Sequence, residues 1–160
     1  DDLPERLDGV VHAAGIAHLG RLDTLAVEAL DAQYAVNVRA PFLLTAALLP
    51  ALRAAGGHVV FVNSGAGQRA RAGWGGYAAS KFALRALADA LREEEAPTVR
   101  VTTIYPGRTA TPMQRDVRRM EGGAYDPDAY LTPEAVAAWI VHALDAPAGV
   151  DVPDVSVRPA

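Results

Sequence analysis

Cysteine is missing from all 160 residues, so neither disulfides nor thiolate metal sites are available, as suits a reducing cytoplasm. Long apolar runs are missing too. No uninterrupted run reaches the roughly 18 residues of a membrane span, and no charged-then-apolar signal opens the chain. The expectation is a cytoplasmic protein with no membrane partner. Positive charge is outweighed, with 15 lysines and arginines against 19 aspartates and glutamates and a formal net charge of -4. The arginines are scattered, so nucleic acid is not an expected partner. The four histidines, His12, His18, His58 and His142, form no ligand-spacing motif, and no metal is expected. Lysine is the scarcest charged residue, because Lys81 is the only one in the chain.

Apolar residues, at 51% of the composition, suffice for the core of one domain, taken as residues 1–160. "DGVVHAAG" (8–15), "GHVVFVNSGAG" (57–67) and "VRVTTIYPG" (99–107) are short β-rich runs closed by Gly or Pro. They read as buried parallel strands. Long amphipathic stretches, Leu25 to Ala54 and Gly76 to Glu94, lie between them. A final helix is expected from Pro133 to Leu144, with "PDVSVRP" as a possible last strand. Alternation of this kind implies right-handed crossovers and an α/β parallel sheet with helices on both faces. No repeats or low-complexity segments interrupt it. Residues 111–132 carry the least regular pattern and read as a mobile flap over an apolar pocket that Trp74 and Met113 help to shape.

Ligands of such sheets sit at the carboxyl ends of the strands, which directs attention to "HAAG", "NSGAG" and "YPGRTATPM". Ser64 follows the second strand directly and stands 13 residues before Tyr77; taken alone, it would be a turn former. Tyr77 and Lys81, in "YAASK", are one helical turn apart on the same face. A lone Tyr-x-x-x-Lys is weak evidence, since a single lysine would fall four after one of the 5 tyrosines in about 3% of random placements. Lysine differs from arginine in being a compact ammonium that can lose its proton. Placed beside a phenol, it would lower the phenol's pKa. Upstream, Pro41 falls in a helical pattern and cannot donate to the carbonyl of Asn37, so a kink is expected there.

Together these residues resemble the classical short-chain dehydrogenase/reductase family, on the strength of "VNV" with Asn37, the Ser64 to Tyr77 interval, "YAASK" and "YPGRTATPM". The resemblance covers nearly the whole chain. It implies a Rossmann-like fold and a catalytic tetrad of Asn37, Ser64, Tyr77 and Lys81 acting with NAD or NADP on a small carbonyl or alcohol substrate. Tyr77 would be the general acid/base, its pKa brought down by Lys81 and the oxidised nicotinamide; a fall of about two pH units is roughly 2.7 kcal/mol. Ser64 would hold the substrate oxygen. The Asn37 carbonyl would hold a water linking Lys81 to solvent. Ala14, Gly15, Tyr77, Lys81, Pro106, Gly107, Thr109 and Thr111 are the implied cofactor-binding positions.

The departures are as informative. "HAAG" replaces the family's Asn-Asn-Ala-Gly, with His12 and Ala13 differing. The Gly-x-x-x-Gly-x-Gly loop is not in this sequence, and the first recognisable strand corresponds to the family's fourth. The expectation is therefore the carboxyl-terminal two thirds of the fold, lacking the amino-terminal Gly-rich βαβ portion that receives the pyrophosphate. Two other readings stay open: a truncated, non-catalytic chain serving as an oligomerising or binding module, and ketoreductase-like reduction of acyl-carrier-bound ketones, suggested by "VVHAAG". Extended epimerase or dehydratase relatives carry a larger substrate domain than the 50 or so residues after Gly107 allow. The resemblance also implies a homodimer or homotetramer, since "FLLTAALLPALRAA" and "YAASKFALRALADAL" are apolar on several sides.

Overall fold

The computed structural model describes residues 3–147 and 149–160. Among the described residues, four parallel strands lie side by side in chain order: Gly9–His12 (β1), His58–Val62 (β2), Arg100–Pro106 (β3) and Asp154–Val157 (β4). β2 is apolar almost throughout because both of its faces are covered. On one face Val59, Phe61 and Val101 pack with Leu48, Leu52, Leu84, Ala88 and Leu91; on the other, Val60 and Ile104 pack with Val136, Ala143 and Val157. Fully burying such a side chain contributes about 1.5–3 kcal/mol. This is the α/β sheet with helices on both faces that the strand and helix pattern implies.

Helices α1 (Val27–Tyr34) and α2 (Ala40–Ala55) are joined by a π-helical turn, Ala35–Arg39, in which the Ala40 N–H reaches back to the Ala35 carbonyl. The expected kink at Asn37 is thus replaced by a wider turn that keeps the rod continuous. A π turn inside an α-helix is the usual alternative to a sharp bend where the hydrogen-bond ladder is interrupted. By length and composition the whole rod, Val27–Ala55, could cross a membrane. It is instead a layer on the sheet, with Leu48 and Leu52 in the core.

Helix α3 (Gly75–Glu95) buries Tyr77, Lys81, Leu84, Ala88 and Leu91, a spacing of three and four that makes one stripe. The stripe carries the core and the candidate chemistry together. Helix α5 (Pro133–Leu144) covers the opposite face, as expected, and β4 lies inside "PDVSVRP".

Residues 111–132 depart from the expectation of an irregular flap. They hold α4 (Pro112–Met120) and a 3-10 turn, Pro127–Ala129. The Thr111 hydroxyl accepts the Gln114 N–H at 3.2 Å, and Thr132 accepts the Ala135 N–H at 3.1 Å. A capping threonine followed by proline in the first turn starts α4 as it starts α5. Both ends of the flap are tied to each other, because Ala110 N–H donates to the Leu131 carbonyl (2.8 Å) and Leu131 N–H to that of Arg108 (2.9 Å). Arg108 and Arg118 converge on Glu121 at 2.7–2.9 Å and pin the far end of α4.

Candidate active site

A cavity of about 960 Å³ opens at the carboxyl ends of β1, β2 and β3. Gly15, Ser64, Tyr77 and Lys81 line one side, and Pro106, Gly107, Thr109 and Thr111 line the other. Asn37 stands behind this wall, 1% exposed. Ala14 is exposed and does not line the cavity. Eight of the ten positions singled out from the sequence therefore share one space, with Asn37 supporting it from behind.

Asn37 joins three parts of the chain. Its Nδ2 donates to the Ile16 carbonyl (2.9 Å) and to the Ser80 hydroxyl (3.0 Å), while its Oδ1 accepts the Ile16 N–H (2.9 Å). Ser80 donates in turn to the Tyr77 carbonyl at 2.7 Å. The π turn thus fixes the loop after β1 against the turn of α3 that carries Tyr77 and Lys81. All three contacts use the side chain, and Pro41 has no N–H to offer the Asn37 main-chain carbonyl.

Lys81 is 3% exposed and donates from Nζ to the Val62 carbonyl at 3.2 Å. No carboxylate pairs with it among the described residues. Burial accordingly pushes its pKa down to about 8. Tyr77 is edge-on to Trp74, with ring centroids 5.9 Å apart, and lies 6.0 Å from Nζ measured to its ring centroid. Its pKa departs from the expectation. Burial raises it above the ordinary value, and a hydrogen bond with Ser64 pulls it back only in part. Desolvation of the phenolate outweighs the lysine at this separation, so the protein alone holds Tyr77 protonated.

Ser64 is half-buried and caps the 65–67 turn, its hydroxyl accepting the Ala66 N–H at 3.1 Å. The hydroxyl is directed at Tyr77, whose burial-raised pKa it pulls back in part. Across the cavity, Thr109 donates to the Gly107 carbonyl (3.1 Å) and Thr111 to that of Thr109 (3.3 Å), which curls the segment after β3 around its own backbone.

Sequence reasoning missed Asn63. Buried beside Ser64, its Oδ1 accepts the Ser64 N–H (2.8 Å) and its Nδ2 donates to the Lys81 carbonyl (3.1 Å), coupling the two candidate groups through one side chain. A signal was available in Gly67, where a Cβ would overlap the Asn63 amide oxygen and come within 2.9 Å of the Lys81 carbonyl. Gly15 is similar, since a Cβ there would lie 3.3 Å from Asn37 Oδ1 and 3.5 Å from Lys81 Nζ. The missing side chain leaves that floor open.

A parallel α/β sheet with helices on both faces, gathering a serine, a tyrosine and a lysine at the carboxyl ends of its strands, defines a Rossmann-like fold. The chain belongs to the short chain dehydrogenase family, whose model matches residues 2–122. It is similar to the uncharacterized oxidoreductase YciK of Escherichia coli K12, with 41% identity over 134 residues, covering 80% of this chain and 50% of that protein. It is also similar to 2,3-dihydro-2,3-dihydroxybenzoate dehydrogenase of the same organism, with 42% identity over 113 residues, covering 69% of this chain and 46% of that one. Among solved structures, a short chain dehydrogenase from Escherichia coli CFT073 complexed with NADPH superposes with a TM-score of 0.89 at 32% identity, covering 98% of this chain and 65% of that one. The chain thus spans about half the length of these two curated relatives.

Proposed function

We propose that this chain is one partial Rossmann-like domain carrying the carbonyl site of an NAD(P)-dependent oxidoreductase, acting on a small carbonyl or alcohol compound. The observation that carries the reading is the shared cavity of Ser64, Tyr77 and Lys81 at the strand ends, with Asn37 tied in behind. The cofactor of the NADPH-complexed relative supports NAD or NADP here, and the dihydrodiol in the name of the benzoate dehydrogenase supports a secondary alcohol or its ketone. The space left by Gly15 beside Lys81 Nζ fits the nicotinamide ribose, and Pro106, Gly107, Thr109 and Thr111 would hold the nicotinamide from the opposite wall. When bound there, the cofactor would supply hydride chemistry, two electrons given to the carbonyl carbon or taken from the alcohol carbon.

This chain's residues handle the proton. Tyr77, held protonated by burial, gives its phenol proton to the carbonyl oxygen in the reducing direction. Ser64 donates a hydrogen bond to the same oxygen and fixes it beside the phenol. Lys81, with a pKa of about 8, passes a proton toward the tyrosine near neutral pH, which a guanidinium cannot do.

The outer faces of α2 and α3 expose Phe42, Leu43, Leu44 and Phe82, and we place a homodimer or homotetramer contact there. The test is Tyr77→Phe in the full-length protein. Carbonyl reduction, followed by nicotinamide absorbance, should fall by about 10²-fold or more, while cofactor titration by fluorescence changes little. Retention of more than about a tenth of the parent rate would show the proton to come from elsewhere. Cofactor binding without turnover of any carbonyl or alcohol would favour the binding-module alternative.

A further inference from the structure

The cavity wall has a charge that the chain as a whole does not. Acidic residues outnumber basic ones in the sequence, yet the lining holds Arg69, Arg71, Lys81, Arg108 and Arg158 and, among the described residues, no aspartate or glutamate. Arg108 is committed to Glu121 through two hydrogen bonds. Arg69, Arg71 and Arg158 are exposed at the rim and make no ion pair among the described residues. Arg69 and Arg71 lie on the loop between Ser64 and Tyr77, and Arg158 directly follows β4, so the guanidinium groups approach from different walls.

Gln114 is an independent indication. It lines the same cavity from α4 and is 8% exposed, yet its Nε2 has no hydrogen-bond partner. A buried donor left without an acceptor carries a desolvation cost that a ligand oxygen would relieve. Rim and wall therefore offer donors and positive charge, the complement of an oxyanion.

Resting on the oxidoreductase reading above, we propose that the substrate is an acidic carbonyl or alcohol compound whose carboxylate or phosphate is bound by Arg69, Arg71 and Arg158, with the Gln114 amide donating to it from the wall. The reacting oxygen then sits at Ser64 and Tyr77, and the anion reports the distance from the reacting carbon to the rim. The alternative source of such an anion is the cofactor's own phosphate, and the experiment separates the two.

The reporter is Trp74, which lines the cavity; Trp139→Phe removes the other tryptophan, an exposed residue of α5. In that background the probes are levulinate and its neutral methyl ester, dihydroxyacetone phosphate and dihydroxyacetone, and nicotinamide mononucleotide. One or both anions should bind at least about ten-fold more tightly than the neutral partner, as charge-assisted hydrogen bonds imply. Which anion does so distinguishes carboxylate from phosphate. Arg69→Ala/Arg71→Ala/Arg158→Ala should erase the difference while leaving the circular dichroism unchanged, and Gln114→Leu should weaken the anion only. The mononucleotide should respond equally in parent and arginine variant. Equal affinities within each pair, no binding by any probe, selectivity that survives the triple variant, or a mononucleotide response lost with the arginines would each overturn the proposal. Charge selectivity in a full-length protein that transfers no hydride would leave this inference standing and remove the redox reading. Turnover of neutral ketones alone would do the reverse.

Discussion

Tyr77 and Lys81 are buried against their own charge. Desolvation raises the phenol and lowers the ammonium, the latter to about 8, so in the protein alone burial shifts both groups toward their neutral forms. In the unfolded chain the lysine titrates near 10.4. Because its folded pKa is depressed, stability is fullest above the unfolded value and declines as pH falls through about 8. Holding the ammonium near neutrality costs about 3 kcal/mol. Lys81→Met is therefore expected to be inactive yet more stable than the parent at pH 7 by about that amount. The parent's stability should rise by about 2 kcal/mol between pH 7 and 9.5 while the variant's does not, read from urea unfolding at the two pH values. Lys81→Arg should lose nearly as much activity as Lys81→Ala, because the guanidinium keeps a charge but cannot give up its proton. An arginine variant with near-parent rates would reduce Lys81 to a structural cation.

β2 and β3 share a second buried base. His58 Nε2 lies 2.8 Å from the Thr102 hydroxyl, which itself donates to the Val152 carbonyl at 2.6 Å. The hydroxyl's proton being used, the histidine must donate from Nε2, and Nδ1 is left without a partner. Burial first, then Arg100, push this histidine down to about 4. Below pH 6.5 the unfolded chain takes up a proton that the folded strand refuses until about pH 4. Stability should accordingly fall by about 3 kcal/mol from pH 7 to pH 4, and His58→Gln should flatten that limb in urea titrations. An unchanged acid limb in the variant would assign the loss to carboxylates such as Glu121. These elements also show what the sequence could convey. β2 was legible because burial on both faces demands an apolar run, and α3 because Tyr77, Lys81, Leu84 and Leu91 repeat at helical spacing. α4 was not, because its sequence "PMQRDVRRM" buries only Gln114 and Val117 and its ordering comes from the distant partners of Arg108 and the Thr109 bridge to Leu131. Its start could have been read, since Thr111-Pro112 repeats the Thr132-Pro133 cap. The three rim arginines were illegible for another reason: their common cavity exists only after β4 has joined the sheet.

The chain as a unit presents two kinds of leucine on α3. Leu84 is 3% exposed within the core cluster, whereas Leu87 lines a shallow outer groove with Tyr34, Val38 and Phe42. Leu84→Asp should therefore abolish cooperative folding, a buried unpaired carboxylate being among the costliest changes known. Leu87→Asp should leave the fold intact by circular dichroism and shift the full-length protein toward monomer in light scattering. A parent that is already monomeric and active would remove the assembly proposal. The π turn ties this surface to the cavity. One rod from Val27 to Ala55 carries Gln33 and Asn37 inward and Phe42 and Leu43 outward, and the wide turn sets the phase between its halves. The turn already absorbs one extra residue, so inserting a further one beside Val38 would rotate the first half about 100° against the second. The two halves behave as keyed parts on a common shaft: slipping the key by one tooth would misalign the site and the outer face in the same motion.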